Sequence, residues 1–283
     1  MIRRLAVVGL GLLGGSVAKA ARAHGVAAEI AGVGRDPARI DAARRDGTVD
    51  VVTTDLAATL RDADLVVLAT PVRTLGRLLE DVARAVGPET IVTDVGSTKA
   101  ALVAVAGRLA RTYPLRFVGS HPMAGSEQSG YAHARADLFH GATVIVTPTE
   151  TSVPAAVKTV TAFWEALGAT RVLALDPDTH DRAVAAISHL PHLAAFALVD
   201  AVERLEPGAF DVAARGFRDT TRIAASDATM WEEIFLANRD ALAAGLDAFR
   251  AALADLEHLI TAGDSAGLRT ALARIKARRE ALR

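Results

Sequence analysis

Histidine, serine and arginine are the side chains here whose positions suggest chemistry. His121 follows an apolar run at 117–119, in the segment His-Pro-Met-Ala-Gly. A histidine titrates near neutral pH, so one held at the end of a strand can act as a general base. Ser97, in Asp-Val-Gly-Ser-Thr-Lys, also follows an apolar run. It could orient the substrate hydroxyl from which His121 would take a proton. Its position equally suits the N-cap of the next helix.

Further candidate side chains lie in the last 110 residues or so of the chain. His189 and His192 are spaced three residues apart, which places them on one face of a helix. With His180 and Asp181 upstream they still lack a third ligand at a metal-type spacing, so no metal site is predicted. Arg222 is a residue type that binds a carboxylate through two hydrogen bonds, although an arginine in a polar segment is also typical of a solvated surface.

The first 36 residues contain the elements that would position such groups against a cofactor. An apolar run at 5–8 ends in Gly-Leu-Gly-Leu-Leu-Gly at 9–14, and a helical pattern and a second apolar run at 30–33 follow. In this strand, turn, helix, strand order the G-x-G-x-x-G motif binds a dinucleotide, although a glycine-rich turn without a ligand is the alternative. The predicted cofactor contacts, including two residues that follow a later strand, are Gly9, Gly11, Leu12, Leu13, Gly14, Thr70 and Pro71.

The end of the second predicted strand indicates which nicotinamide cofactor to expect. An acidic residue there recognises NAD, whereas a basic residue without that acid accommodates NADP. Gly34 occupies the position of the acid and Arg35 follows it, so the pattern favours NADP, with NAD as the alternative. Arg35 could also be a solvated loop residue. Asp36 precedes Pro37 and suits the cap of the next helix.

Strand and helix patterns alternate along the first part of the chain. Apolar runs typical of strands buried on both faces of a parallel sheet recur at 65–69, 91–93, 117–119, 144–146 and 172–175. From Asp176 onward the pattern is one of amphipathic helices rich in Ala and Leu. We therefore predict an α/β fold: a doubly wound, dinucleotide-binding domain at 1–174 and an all-helical domain at 175–283. Such apolar helices also predict a homodimer.

The composition argues against several classes of protein. Hydrophobic residues make up 51% of the chain, and the formal net charge is −1. Because acidic and basic residues are interspersed, a nucleic-acid or anionic-membrane partner is not expected. The chain has no cysteine, which excludes disulfides, thiolate catalysis and cysteine-based metal sites. We expect no segment long and apolar enough to span a bilayer, and therefore a cytoplasmic protein.

Five motifs occur in order along nearly the whole chain. They are Gly-Leu-Gly-Leu-Leu-Gly-Gly-Ser, Asp-Val-Gly-Ser-Thr-Lys, His-Pro-Met-Ala-Gly-Ser-Glu, Ser-His-Leu-Pro-His and Gly-Phe-Arg-Asp-Thr-Thr-Arg-Ile-Ala. Together they closely resemble the prephenate/arogenate dehydrogenase family of tyrosine biosynthesis. The resemblance implies a Rossmann-type domain followed by a helical dimerisation domain. It also implies oxidative decarboxylation of prephenate or arogenate with an NAD(P) cofactor.

The resemblance further implies roles for individual residues. His121 matches the catalytic histidine of the family, Ser97 the serine that contacts the ring hydroxyl, and Arg222 the arginine that binds the ring carboxylate. Trp231 matches a tryptophan near the subunit contact. The residues that match the border of the substrate pocket are His189, His192 and Glu127. Lys99, beside Ser97, is predicted as an additional substrate contact.

The sequence leaves alternatives open for the substrate, for regulation of the activity and for the class of protein. Arogenate carries an ammonium where prephenate has a keto group, and Glu127, Asp181 and Asp219 could each supply the carboxylate that an ammonium needs. With no regulatory domain expected after the helices, tyrosine would have to inhibit at the active site. Another NADP-dependent two-domain reductase, such as a β-hydroxyacid dehydrogenase or an imine reductase, would not need His121 and Arg222. A non-catalytic dinucleotide sensor would give no turnover.

Overall fold

An eight-stranded sheet organises the first part of the chain. The computed structural model describes residues 2–126 and 128–282, with only the backbone described at 37–39. The strands are β1 (Ile2–Val8), β2 (Ala27–Val33), β3 (Val51–Thr53), β4 (Leu65–Leu68), β5 (Ile91–Asp94), β6 (Arg116–Pro122), β7 (Thr143–Thr147) and β8 (Arg171–Ala174). Their spatial order is β3-β2-β1-β4-β5-β6-β7-β8.

The pairing of these strands is parallel except between β6 and β7, which run antiparallel. From β1 the chain builds outward through β2 to β3, then returns to place β4 on the other side of β1. This reversal creates a crevice at the carboxyl ends of β1 and β4, which is where doubly wound sheets bind their ligands. The predicted α/β fold with a mostly parallel, doubly wound sheet is confirmed.

Helices cover both faces of the sheet and form two hydrophobic layers. They are α1 (Leu12–Ala23), α2 (Pro37–Arg45), α3 (Leu56–Arg61), α4 (Val72–Ala85), α5 (Ala100–Leu109) and α6 (Pro154–Ala166). Successive side chains of a strand point to opposite faces. Leu5 and Val7 of β1 accordingly pack with α1, α2 and α6, while Ala6 and Val8 pack with α3, α4 and α5. Burial on both faces explains the continuous apolar strand sequences.

The described chain after β8 contains helices and turns but no strand. The helices are α7 (Pro177–Val184), α8 (Leu190–Leu205), α9 (Arg215–Thr221), α10 (Ala228–Ala237), α11 (Arg239–Thr261) and α12 (Ser265–Glu280). A π-helical turn, Ala185–His189, separates α7 from α8, and a 3₁₀ turn, Arg222–Ala225, follows α9.

The chain divides into two compact units. The first extends to Asn238 and therefore combines the sheet with α7 to α10, and the second begins at Arg239 and consists of α11 packed on α12. The domain boundary near residue 174, where the sheet ends, stays a prediction.

One helical run corrects the expectation that no segment could span a bilayer. Pro177–Leu205 is continuously helical and contains an 18-residue window of mean hydropathy 1.4, of which 22% is buried. Its charged residues cluster at the two ends and leave the middle apolar. The run is long and apolar enough to cross a membrane, but a single such helix is weak evidence because core helices of soluble proteins also meet this criterion.

Candidate active site

The glycine-rich turn lies at the crevice between β1 and β4. Gly9 has φ +97°, a left-handed conformation that favours glycine, and a Cβ there would lie 2.6 Å from the carbonyl oxygen of Ala69. A Cβ on Gly14 would collide with the Gly9 carbonyl and lie 2.8 Å from the Ala69 Cβ. Gly11, the N-cap of α1, faces open space instead. The turn therefore fits a pyrophosphate, which could approach Gly11 and the amides at the helix start.

The other predicted cofactor contacts border this turn. Leu12 and Leu13 begin α1 and are half-buried, so their amides belong to the first turn, where backbone donors lack partners within the helix. Thr70 and Pro71 follow β4, and the Thr74 hydroxyl donates to the Pro71 carbonyl oxygen over 2.8 Å and lies 3.0 Å from the Thr70 Oγ1. This bonding holds the start of α4 beside the crevice. Cofactor contact by these four residues stays a prediction.

Close packing at the end of β2 disfavours an acidic side chain at position 34. A Cβ on Gly34 would lie 2.6 Å from Cγ2 of Ile40, which is a buried residue of α2. An aspartate or glutamate at this position would therefore have to displace part of the core. Arg35 and Asp36 are both exposed beyond the strand.

A chain of three side chains links the sheet to α7. Nδ1 of His121, near the end of β6, lies 2.9 Å from Nε2 of His180. Nδ1 of His180 lies 2.7 Å from Oδ1 of Asp181. His180 is fully buried, while His121 and Asp181 are 9% and 7% exposed. We refer to His121, His180 and Asp181 as the His-His-Asp chain.

Asp181 also binds the start of α5. Its two carboxylate oxygens accept hydrogen bonds from the backbone amides of Lys99 and Ala100, over 2.7 and 2.9 Å. Burial raises the pKa of Asp181, but hydrogen bonds from His180 and the two amides outweigh it and lower the pKa overall. The N-cap of α5 is Lys99, so the alternative prediction that Ser97 caps this helix is wrong. Ser97 lies half-buried before it, at the edge where β5 and β6 end.

The Lys99 side chain is enclosed by the protein. It is fully buried and ion-paired with Asp94, which also accepts hydrogen bonds from the amides of Gly96 (2.8 Å) and Ser120 (3.1 Å). The ammonium group is thus neutralised within a hydrogen-bond network that joins the end of β5 to β6. The pairing with Asp94 weighs against substrate contact by Lys99, because a buried charge remains with its partner, and that contact stays a prediction.

His189 lies in the π-helical turn next to the His-His-Asp chain. Nδ2 of Asn238 donates to the Asp181 carbonyl oxygen over 2.8 Å and lies 3.1 Å from Nδ1 of His189. Because an amide nitrogen is a donor, Nδ1 of His189 accepts, and the ring proton is on Nε2. The charge of a protonated His189 would be close enough to His121 to lower its pKa.

Trp231 of α10 joins the two helical histidines. The His192 ring stacks on it with the centroids 3.6 Å apart, and the His189 ring contacts it edge-on at 6.0 Å. The prediction that the two histidines share a helix face is therefore confirmed. Arg222, exposed in its 3₁₀ turn, is close enough for its charge to oppose protonation of His192. Trp231 thus links His189, next to the His-His-Asp chain, to His192, whose protonation is opposed by the charge of Arg222.

The predicted acids have separate fates. Asp181 is committed to His180 and the start of α5, and Asp219 bonds the exposed Arg215 over 3.2 Å. Glu127 lies outside the described residues. The described residues include no group of three or more acidic or histidine side chains that could hold a metal.

The sequence prediction missed the roles of His180 and Asn238 because their partners are 59 and 49 or more residues away. The only local signal was the adjacent His-Asp pair just after an N-cap.

Burial keeps the site histidines uncharged. It lowers the pKa of His121 well below 6.5, with His180, Lys99 and His189 adding to the effect. It lowers the pKa of His189 to about 4, and that of His192 also falls. At neutral pH these rings are therefore available as proton acceptors or neutral donors.

The shifts predict that the protein loses stability as the pH falls from about 6.5 to about 4. In the unfolded chain the histidines take up protons near pH 6.5, while the native rings stay neutral to lower pH. The unfolded state then binds more protons, so unfolding becomes more favourable, by about 3 kcal/mol for a shift as large as that of His189. Urea denaturation at several pH values would measure this.

A His189→Gln variant is the matched control for the pH experiment. It removes one titrating ring and should therefore lose less unfolding free energy over the same pH range than the unmodified protein. Equal slopes for the two proteins, or a stability that does not change between pH 6.5 and 4, would contradict the depressed histidine pKa values.

Two family models together match most of the chain. Residues 17–173 match the family model "Prephenate dehydrogenase, nucleotide-binding domain", and residues 176–274 match "Prephenate dehydrogenase, dimerization domain". The cyclohexadienyl dehydrogenase of Zymomonas mobilis is 35% identical, over 93% of this chain and 89% of that protein.

Two solved structures superpose closely. The Aquifex aeolicus prephenate dehydrogenase in complex with hydroxyphenyl propionate and NAD+ has a TM-score of 0.93 and 34% identity, covering 100% of this chain and 99% of that one. The Synechocystis arogenate dehydrogenase has a TM-score of 0.85 and 32% identity, covering 98% and 99% of the two chains.

Proposed function

This chain belongs to the prephenate dehydrogenase family, and from that premise we propose that it catalyses the oxidative decarboxylation of prephenate or arogenate in tyrosine biosynthesis. The products are 4-hydroxyphenylpyruvate or tyrosine, with carbon dioxide. The observation that carries this proposal is the position of His121, at the carboxyl edge of the sheet that also bears the dinucleotide turn. NAD(P), when bound, would accept the hydride.

His121 is the general base in this proposal. The ring carbon to be oxidised bears both a hydrogen and a hydroxyl, and a carboxylate occupies the opposite ring carbon. His121 takes the hydroxyl proton as the hydride leaves, and loss of carbon dioxide then makes the ring aromatic. Because Nδ1 is bonded to His180, Nε2 is the ring nitrogen that remains for the hydroxyl. Ser97 follows β5, the neighbouring strand, and hydrogen-bonds the same hydroxyl.

Arg222 anchors the opposite end of the ring. Its guanidinium can bind the ring carboxylate through two parallel hydrogen bonds. His189 and His192, whose rings both contact Trp231, are proposed to border the substrate ring between His121 and Arg222. Glu127, which lies outside the described residues, is proposed from its sequence motif alone as a further residue at the border of this pocket. Tyrosine lacks the ring carboxylate, so we propose that any inhibition by tyrosine is competition in this pocket without the Arg222 contact.

Replacing His121 with alanine should lower kcat by about 10²–10⁴-fold, because a positioned general base contributes on that scale. Reduced nicotinamide, followed at 340 nm with prephenate or arogenate, measures turnover, and fluorescence titration measures dinucleotide binding, which should persist. His24→Ala is the control, since His24 is exposed at the far end of α1 and should leave turnover unchanged. Near-normal turnover of His121→Ala would refute this assignment.

Replacing Arg222 with alanine should raise KM for the substrate about 10–100-fold, because a charge-assisted carboxylate contact is lost. The value of kcat should change much less, since the reacting carbon lies at the opposite end of the ring. Arg84→Ala is the control, as Arg84 is an exposed arginine on α4. If KM for Arg222→Ala equals that of the unmodified enzyme, the carboxylate contact lies elsewhere.

The cofactor preference is proposed to be NADP. Support comes from Gly34, whose position excludes the acidic side chain that would bind the NAD ribose, and from the exposed Arg35 next to it. Arg35 would bind the 2′-phosphate of NADP through charge-assisted hydrogen bonds.

An Arg35→Ala variant should therefore raise the Kd for NADP about 10–100-fold and leave the Kd for NAD nearly unchanged. Isothermal titration with each dinucleotide measures both constants. Arg45→Ala provides a matched loss of one positive charge at the end of α2 and should change neither. An equal loss of affinity for both dinucleotides would show that Arg35 does not read the 2′-phosphate.

The proposed enzyme works as a homodimer in the cytoplasm. Residues 176–274 match a dimerization domain, and several large apolar side chains of the helices are exposed, including Ile187, Leu236 and Leu253. A second copy covering these faces accounts for the apolar run Pro177–Leu205 without a membrane. A β-hydroxyacid dehydrogenase or imine reductase is a weaker alternative, because the family match extends through the helical half as well.

A further inference from the structure

We infer that His180 and Asp181 are positioning residues that set the tautomer of His121, so that its Nε2 carries the lone pair needed by a general base. This inference rests on the proposed function of His121. In each of the two hydrogen bonds of the His-His-Asp chain, the distance does not show which group donates and which accepts.

Asp181 sets the direction of the chain. Its carboxylate accepts bonds from the Lys99 and Ala100 amides, which are the first donors of α5, and this arrangement favours the negative charge. An ionised carboxylate has no proton to donate. The His180 Nδ1 atom, 2.7 Å from Oδ1 of Asp181, must therefore be the donor in their bond.

His180 passes this constraint to His121. A neutral imidazole with its proton on Nδ1 has only a lone pair on Nε2. The Nε2 atom of His180 lies 2.9 Å from Nδ1 of His121, so His121 must donate from Nδ1. The Nε2 atom of His121 is then unprotonated. The opposite order would leave a proton on this atom and prevent it from accepting one from the substrate.

The same chain can hold the proton that the reaction releases. When Nε2 of His121 takes the hydroxyl proton, its ring becomes a cation among groups that oppose its charge: the buried Lys99 and the neighbouring His189. Moving the Nδ1 proton to Nε2 of His180 breaks one N–H bond and forms another, and the positive charge then lies beside the Asp181 carboxylate. A buried cation is stabilised by such a partner.

The groups around His121 that could affect its titration come from three segments. His180 and Asp181 belong to α7, His189 to the π-helical turn, and the Asp94–Lys99 pair spans the β5–α5 loop. Lys99 is held by Asp94 in every variant proposed below, so changes of the pH profile report on the His-His-Asp chain.

The tautomer of His121 is measured directly by ¹⁵N–¹H NMR of the full-length protein loaded with NADP. We expect the Nδ1 shift of a protonated nitrogen and the Nε2 shift of an unprotonated one at pH 7.5, assigned by comparison with His121→Ala. A His121 ring protonated on Nε2 would overturn the inference, and this result needs no variant of His180 or Asp181.

Two variants test the consequence for catalysis. His180→Phe removes the chain and leaves the Asp181 bonds to α5 in place. Asp181→Asn can donate to His180, which would reverse the order of the chain and place the His121 proton on Nε2. Both should lower kcat by at least about 10-fold and shift the acid limb of the kcat profile, with KM and the Kd for NADP within about threefold.

Denaturation in urea separates these effects from loss of structure, since Asp181→Asn also weakens the start of α5. His24→Ala is again the control for a histidine outside the site. If His180→Phe keeps the full kcat and an unchanged pH profile, the inference fails while the role of His121 stands. If His121→Ala itself keeps full turnover, the proposed function of His121 fails first.

Discussion

The buried carboxylate of Asp181 is the interaction on which the candidate site depends. It accepts hydrogen bonds from the Lys99 and Ala100 amides and from His180, while its own backbone carbonyl accepts one from Asn238. Without it, two helix amides and an imidazole N–H would be buried without acceptors, at a cost of about 1–3 kcal/mol each. One residue thus joins α7 to the start of α5 through its side chain and to the C-cap of α10 through its backbone, and its bond to His180 is the one proposed to orient His121.

The order of the strands explains why cofactor and base meet at this place. The reversal between β1 and β4 opens a crevice at their carboxyl ends, and the glycine turn occupies it because Gly9 and Gly14 allow close contact with Ala69. Two strands further along, β6 ends in the same edge of the sheet and delivers His121. A parallel sheet therefore aligns the glycine turn and His121, the proposed phosphate-binding and acid–base groups, which are over a hundred residues apart in the chain.

Charge is distributed in the site according to exposure. The fully buried ammonium of Lys99 is matched by Asp94, and the buried rings of His121 and His189 are kept neutral. Arg222, the cation proposed to bind the substrate carboxylate, is exposed to solvent. Burial thus favours a neutral, proton-accepting ring at His121, while the proposed anion-binding charge lies at the surface.

The sequence by itself determined the features that arise from local spacing. The strand and glycine patterns predicted the doubly wound sheet and its turn, because apolar runs and G-x-G-x-x-G act within a few residues. The three-residue spacing of His189 and His192 predicted that they share a helix face, and both rings contact Trp231. Only the tertiary structure decided that His180 and Asp181 form a hydrogen-bonded chain with His121, that Lys99 is buried against Asp94, and that Asp181 rather than Ser97 binds the start of α5. The hydrogen bonds of His180 and Asp181 to other elements join residues 59 to 82 positions apart. Lys99 faces inward because β5 packs against β6. Such contacts depend on how strands and helices pack, and no local pattern encodes them.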